Sequence, residues 1–129
     1  MTRFIMAVLL VLLVIYVVPF AVYGGASVLG GLRPPTTASA GRFLLGVLLT
    51  KIGTAVAFVA IFAASRAIWV PRWILYATLW FVMFAFSELG EAVSGRVTKA
   101  EALLGIVSEA IYAPVSAFIV QWLLWRSAA

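Results

Sequence analysis

Four long runs of apolar residues, separated by short polar segments, dominate the chain. They cover residues 4–23, 43–64, 72–92 and 100–125. An α-helix needs about 20 apolar residues to cross the hydrocarbon core of a bilayer, and each run reaches that length. Transmembrane β-strands alternate apolar and polar residues, whereas these runs are continuous. The pattern therefore predicts an all-α polytopic membrane protein, a four-transmembrane-helix bundle forming a single domain.

The segments between the runs carry signals for turns and helix starts. Residues 24–41 are rich in Gly, Pro, Thr and Ser, which predicts a loop. Pro71 suits the first turn of the third helix, and Thr98 followed by Glu101 matches a capping box at the start of the fourth. Because short connectors favour antiparallel neighbours, we expect two helical hairpins packed as one bundle.

The first run has an alternative interpretation as a secretory signal peptide. Arg3 precedes it, and Ala38-Ser39-Ala40 resembles a cleavage site. The apolar core of a signal peptide is about 7–15 residues long, which is shorter than this run, and the small residues lie too far downstream. We expect a retained helix.

The composition supports a membrane protein and narrows the chemistry. Hydrophobic residues make up 66% of the chain and charged residues 10%, whereas soluble domains are about one quarter charged. The chain has no Cys and no His, which argues against haem, zinc and iron–sulfur sites and against a His-based triad. We therefore expect no cofactor, no metal and no enzymatic activity. A membrane enzyme acting on lipids is the least favoured alternative.

The net charge of +5 does not indicate nucleic-acid binding, because the basic residues stand singly beside apolar runs. Four spans place both termini on the side of the 65–72 connector. The basic residues on that side are Arg3, Arg66, Arg72 and Arg126, and those on the opposite side are Arg33, Arg42, Arg96 and Lys99. This balance gives little positive-inside bias. We expect the cell (inner) membrane with cytoplasmic termini, because the arginines on that side lie nearest the spans. Insertion in both orientations as an antiparallel homodimer is the alternative.

Ionisable residues inside the apolar runs are the main functional candidates. Lys51 lies in the second run, Glu88 and Glu91 near the end of the third, and Glu109 in the fourth. At 1.5 Å per residue, the helices place these groups in the same half of the membrane, most of them roughly 9–15 Å from the helix ends. The sequence therefore predicts an intramembrane polar cluster, in which Tyr112 also takes part.

Two interpretations of this cluster remain open at the level of sequence. A charge at a helix centre costs about 2.5–3.5 kcal/mol, so Lys51 is expected to pair with Glu109 or Glu88 and to hold the helices together, or to extend its stem towards water. Alternatively, the surplus of carboxylates is functional. Crowded carboxylates in a low dielectric favour protonation of at least one of them, which would give a site that binds and releases a proton or a cation.

Small residues predict where the helices pack. Gly105, Ala113 and Ala117 fall on one face of the fourth helix, at spacings of four or eight residues. Such faces let helices approach closely in lipid, so we interpret this one as a helix-packing face. Gly53 and Ala57 in the second helix offer a matching surface.

The favoured function is that of a non-catalytic membrane subunit within a larger membrane assembly. The wholly apolar first helix needs only the lipid bilayer or a partner subunit around it. The alternative is a small proton- or cation-coupled transporter or channel that acts as a homo-oligomer, because four helices enclose little space. The predicted partners are therefore lipid, other membrane subunits or a second copy, with a proton or a cation as the possible ligand.

Overall fold

The computed structural model describes residues 1–30 and 40–125 and is helical almost throughout. The described residues form no β-strand, which confirms the all-α prediction. In chain order the elements are α1 (Thr2–Gly30), α2 (Ala40–Ala64), the short α3 (Arg66–Trp69), a 3₁₀ turn (Val70–Arg72), α4 (Trp73–Val93) and α5 (Lys99–Trp125).

Four segments of the described chain are long and apolar enough to cross a membrane. They are Thr2–Ala26, Gly41–Ala64, Arg66–Val93 and Lys99–Trp125. The shortest has 24 residues, which at 1.5 Å per residue is about 36 Å of helix, more than the ~30 Å hydrocarbon core. The predicted number of spans is confirmed.

The helices form an antiparallel bundle in which α5 is the most buried. α1 packs against both α2 and α5, and α4 packs against α5. Near the end of α1, the Tyr23 hydroxyl donates a hydrogen bond of 2.9 Å to the carbonyl of Glu101, in the first turn of α5. The end of α1 therefore lies beside the start of α5. At the opposite end of the bundle, Trp125 borders the same depression as Arg66 and Pro71 of the connector.

The loop predicted over residues 24–41 is wrong at both of its ends. α1 continues through Gly24 and Gly25 to Gly30, and α2 already includes Gly41. The rest of that predicted loop lies outside the described residues. A glycine costs a helix about 1 kcal/mol relative to alanine. The helix continues all the same, because each residue added to a helix already formed completes one further intrahelical hydrogen bond.

The start of α5 is a capping box, as predicted. The backbone N–H of Thr98 donates to Glu101 Oε2 at 2.9 Å, and the backbone N–H of Glu101 donates to Thr98 Oγ1 at 3.1 Å. Immediately before it, Gly95 has φ +78°, a left-handed conformation that glycine adopts without steric cost at the end of a helix. The tight α4–α5 turn fixes how these two helices face each other.

The packing partner predicted for the small face of α5 is wrong. Gly53 of α2 is exposed, and a Cβ placed there would meet no atom within 4 Å. α2 packs mainly on α1, whereas α1 and α4 cover α5. The small residues Gly105, Ala113 and Ala117 of α5 are all buried.

An aromatic cluster fills the bundle at the end nearer the α2–α4 connector. Its members are Phe58 and Phe62 of α2, Trp69 of α3, and Tyr76 and Trp80 of α4. The ring centroids of Phe58 and Phe62 each lie 4.9 Å from that of Tyr76, in edge-to-face contact. The buried Tyr76 hydroxyl donates a hydrogen bond to the carbonyl of Phe58. The hydroxyl group, the one polar group of the Tyr76 side chain, therefore has a hydrogen-bond partner.

Candidate functional site

The opposite end of the bundle brings together polar side chains from all four spans. We define the polar cluster as Tyr23 of α1, Lys51 of α2, Glu88 of α4, and Glu109 and Tyr112 of α5. Electrostatic interactions connect these groups across the helix boundaries. The cluster thus contains Lys51, Glu88, Glu109 and Tyr112 from the sequence prediction, together with one residue that the sequence did not reveal.

Glu109 is the more deeply buried of the two glutamates in the cluster. Only 5% of its surface is exposed, and its Oε2 has no hydrogen-bond partner within the described part of the chain. Ser116 Oγ is buried without a partner as well, but a neutral hydroxyl loses much less solvation than a carboxylate does. Glu109 therefore carries the largest unsatisfied polar group in the described structure.

The side chain of Glu88 reaches Glu109 from the neighbouring helix. Glu88 is half-buried, and its carboxyl group lies within hydrogen-bonding reach of the Glu109 carboxyl group. Two ionised carboxylates can only accept hydrogen bonds, so neither can bond to the other until one of them carries a proton. The two side chains form a carboxyl pair between α4 and α5.

Gly105 makes room for this pair. A Cβ at position 105 would lie 2.6 Å from Glu88 Cδ, 2.6 Å from Oε1 and 2.9 Å from Oε2. The Glu88 carboxyl group thus lies directly on the backbone of α5, one turn before Glu109. Any side chain at position 105 would push it away. Gly105 was predicted only as a packing residue, and what it packs against is a carboxyl group.

Lys51 does not form the ion pair expected from the sequence. Within the described residues its Nζ reaches no carboxylate at ion-pair distance. It lies 5.2 Å from the centroid of the Tyr112 ring, a cation–π geometry. α2 packs on α1 rather than closely on α5, which keeps the ammonium group away from the carboxylates. Lys51 still interacts electrostatically with Glu109 and Glu88.

Tyr112 links the polar cluster to the aromatic packing of the bundle. It is 3% exposed, and its ring also contacts Phe84, with centroids 6.0 Å apart. The ring is therefore held in place below Lys51 by α4 as well as by its own helix. A fixed aromatic face offers the ammonium group a partner that carries no charge of its own.

Tyr23 is the member of the cluster that the sequence did not identify. The first helix was interpreted as purely apolar, yet Tyr23 fixes its end to α5 through Glu101 and interacts with Glu88 and Glu109. Tyrosine near the end of an apolar run is typical of any membrane interface. The position of Tyr23 in the sequence therefore did not distinguish it from an ordinary interfacial tyrosine.

Glu91 lies outside the cluster. It forms an ion pair with Arg96, with 3.2 Å between its Oε1 and the arginine Nη1, and both side chains are exposed. Glu91 is one turn nearer the end of α4 than Glu88, and the chain reverses directly after it. Arg96 is therefore its nearest partner.

A shallow groove of about 510 Å³ runs along α2 to the edge of the cluster. The described residues that line it are Arg42, Phe43, Gly46, Val47, Thr50 and Lys51. Arg42 and Lys51 are nine residues apart, or about 13 Å along the helix. None of these lining residues is acidic. The groove thus connects the start of α2 with the ammonium group of the cluster.

The chemistry available at this site is the exchange of protons and the balance of single charges. Among the described residues, no group of three or more His, Cys, Asp or Glu side chains is arranged to hold a metal ion.

Comparison with protein-family models, with curated proteins and with solved structures finds no match to this chain.

Proposed function

We propose that this protein is a small membrane transport protein that takes up and releases a proton at the Glu88–Glu109 carboxyl pair. The observation that carries the proposal is the buried Glu109 oxygen, which has no hydrogen-bond partner among the described residues and lies beside a second carboxyl group. One proton on the pair converts two acceptors into a donor and an acceptor. The proton therefore supplies the hydrogen bond that two carboxylates cannot make.

The surroundings of the pair favour exchange of this proton over permanent retention. Glu88 is half-buried whereas Glu109 is buried, so the pair extends from an accessible group to an inaccessible one. Lys51 adds one positive charge nearby. With one shared proton, the pair and Lys51 together are neutral, and a second proton makes them positive by one charge.

The proposed working form is a homo-oligomer in the cell membrane, with the termini in the cytoplasm. Four short helices enclose little space, so we expect a path across the membrane to require at least two copies. In the 18-residue apolar stretch of the third span, only 11% of the residues are buried within one chain. That helix therefore has a large surface for lipid or for a second copy.

Proton flux into liposomes tests this function. Purified protein is reconstituted into liposomes that contain a pH-sensitive dye, and a potassium diffusion potential drives protons inwards. We expect flux from the wild type and none from Glu109→Gln, which keeps the shape of the side chain but cannot ionise. Glu91→Gln is the matched control and should conduct normally. Equal flux from wild type and Glu109→Gln, at equal reconstitution, would contradict the proposal.

A non-catalytic role within a larger membrane assembly is the second candidate. The exposed face of α2 favours it, because a Cβ at Gly46 or at Gly53 would meet no atom of the described residues within 4 Å. Small residues let another helix approach closely in lipid. Isolation of the tagged protein from its native membrane in mild detergent distinguishes the candidates. A stoichiometric complex with other proteins, lost in Gly53→Leu, would support the assembly role, whereas a homo-oligomer would support transport.

A further inference from the structure

Lys51 belongs both to the groove on α2 and to the polar cluster. It lines the inner end of the groove and interacts with Glu109 and Glu88. We propose that the groove binds a small monovalent organic anion, a carboxylate with an apolar body, and that Lys51 couples its binding to proton uptake by the carboxyl pair. This inference rests on the proposed function of that pair.

The charge and shape of the groove indicate the class of ligand. Lys51 lies at the inner end of the groove and its described lining contains no acidic residue, which suits a negative charge beside the ammonium group. Phe43 and Val47 line it as well and suit an apolar body. The groove is shallow, with a volume of about 510 Å³, and therefore suits a small ligand. A phospholipid headgroup at the membrane surface would lie at the level of Arg42, about 13 Å from Lys51.

Charge balance explains how the anion and the proton are coupled. The groups that face Lys51 are Tyr112 and Glu109 of α5 and Glu88 of α4, and Tyr23 of α1 faces the two carboxyl groups. While the pair holds one proton, its single negative charge balances Lys51. When a second proton from solvent forms an O–H bond on the pair, the positive charge of Lys51 is left unbalanced in a low dielectric. A monovalent anion in the groove restores neutrality.

The binding of benzoate, with simultaneous measurement of proton uptake, tests the coupling. Wild-type protein in nonionic detergent and weak buffer at pH 7 is titrated with sodium benzoate, while a pH indicator reports protons and equilibrium dialysis with labelled benzoate reports binding. We expect about one proton taken up per benzoate bound. We also expect the affinity for benzoate to fall about tenfold for each pH unit above 7. Each bound anion requires one proton, and the proton concentration falls tenfold for each of those units.

Three variants separate the parts of the proposal. Lys51→Gln should bind benzoate at least tenfold more weakly, and Lys51→Arg should restore binding because it keeps the charge. The double variant Glu88→Gln/Glu109→Gln leaves Lys51 without a balancing carboxylate, so it should still bind benzoate, but without proton uptake and with an affinity independent of pH. Arg96→Gln, remote from the groove, should match the wild type. Size-exclusion profiles of all variants in detergent establish that each one is folded.

Several results would overturn the inference. These are the absence of benzoate binding to the wild type, unchanged binding by Lys51→Gln, and binding without proton uptake. A phospholipid, or a second copy of the chain, retained in the groove of the wild type and lost in Lys51→Gln would also overturn it. If benzoate fails to bind but Glu109-dependent proton flux persists in liposomes, the anion site is wrong and the proton function stands. If the flux is absent as well, both are wrong.

Discussion

The aromatic cluster and the polar cluster bury polar groups in opposite ways, at opposite ends of one bundle. In the aromatic cluster, the Tyr76 hydroxyl donates to a backbone carbonyl and is enclosed by rings. In the polar cluster, one Glu109 oxygen has no partner within residues 1–30 and 40–125, and Lys51 faces a ring in place of a carboxylate. Satisfied polar groups stabilise a bundle, whereas unsatisfied ones cost free energy. The first end thus satisfies the hydroxyl that it buries, whereas the second retains polar groups whose burial costs free energy.

The largest effect on stability is expected in the aromatic cluster. Phe62 is fully buried, so Phe62→Ala leaves a cavity. In soluble cores such a change costs about 3–5 kcal/mol. We expect a loss of about 2 kcal/mol in this protein, because the side chain remains in lipid, rather than in water, when the helices separate. Unfolding by SDS in mixed micelles measures it. Phe86→Ala, at a residue that is 70% exposed, is the control and should change the free energy of unfolding by much less.

The next largest effect is expected at the contact between α5 and the carboxyl pair. Gly105→Ala places a methyl group against the Glu88 carboxyl group, and we expect a loss of about 1–2 kcal/mol together with loss of proton flux. Glu88→Ala removes the clash, so the double variant should recover the stability but not the flux. Gly53→Ala, where the methyl group meets nothing, should be neutral or stabilising. Additive losses in the double-mutant cycle would contradict this account of Gly105.

A smaller effect is expected at the capping box, which fixes the start of α5 beside the polar cluster. Thr98→Ala removes the acceptor for the Glu101 N–H and should lower stability by about 1 kcal/mol. Thr78→Ala is the control, since the Thr78 hydroxyl bonds only to a carbonyl within its own helix. SDS unfolding measures both variants. Equal losses from the two would show that the cap contributes nothing of its own.

The smallest effect is expected for the ion pair outside the cluster. Arg96→Ala breaks an exposed contact with Glu91, and pairs of this kind contribute about 0–0.5 kcal/mol. Proton flux in liposomes should stay unchanged. Reduced flux at equal reconstitution would mean that Glu91 and Arg96 belong to the functional site, and the boundary drawn around the polar cluster would then be wrong.

The fold was predictable from the sequence because its signals are local. Apolar length identifies a membrane-crossing helix without knowledge of its neighbours, and the capping box involves residues only three positions apart. The error at residues 24–30 arose because glycines were taken as helix-ending signals, whereas a helix already formed gains one hydrogen bond for each residue that continues it.

The sequence by itself also determined which ionisable residues lie inside the spans, and at what depth, because a helix advances by a fixed distance per residue. Only the tertiary structure decided which of them meet. Helices that are apolar on all sides carry no periodicity that marks a buried face, so their rotation and neighbours follow from packing. That packing sets Glu88 on Gly105, turns Glu91 outwards, brings Tyr23 into the cluster, and keeps Lys51 on Tyr112 instead of in the ion pair that charge alone predicts.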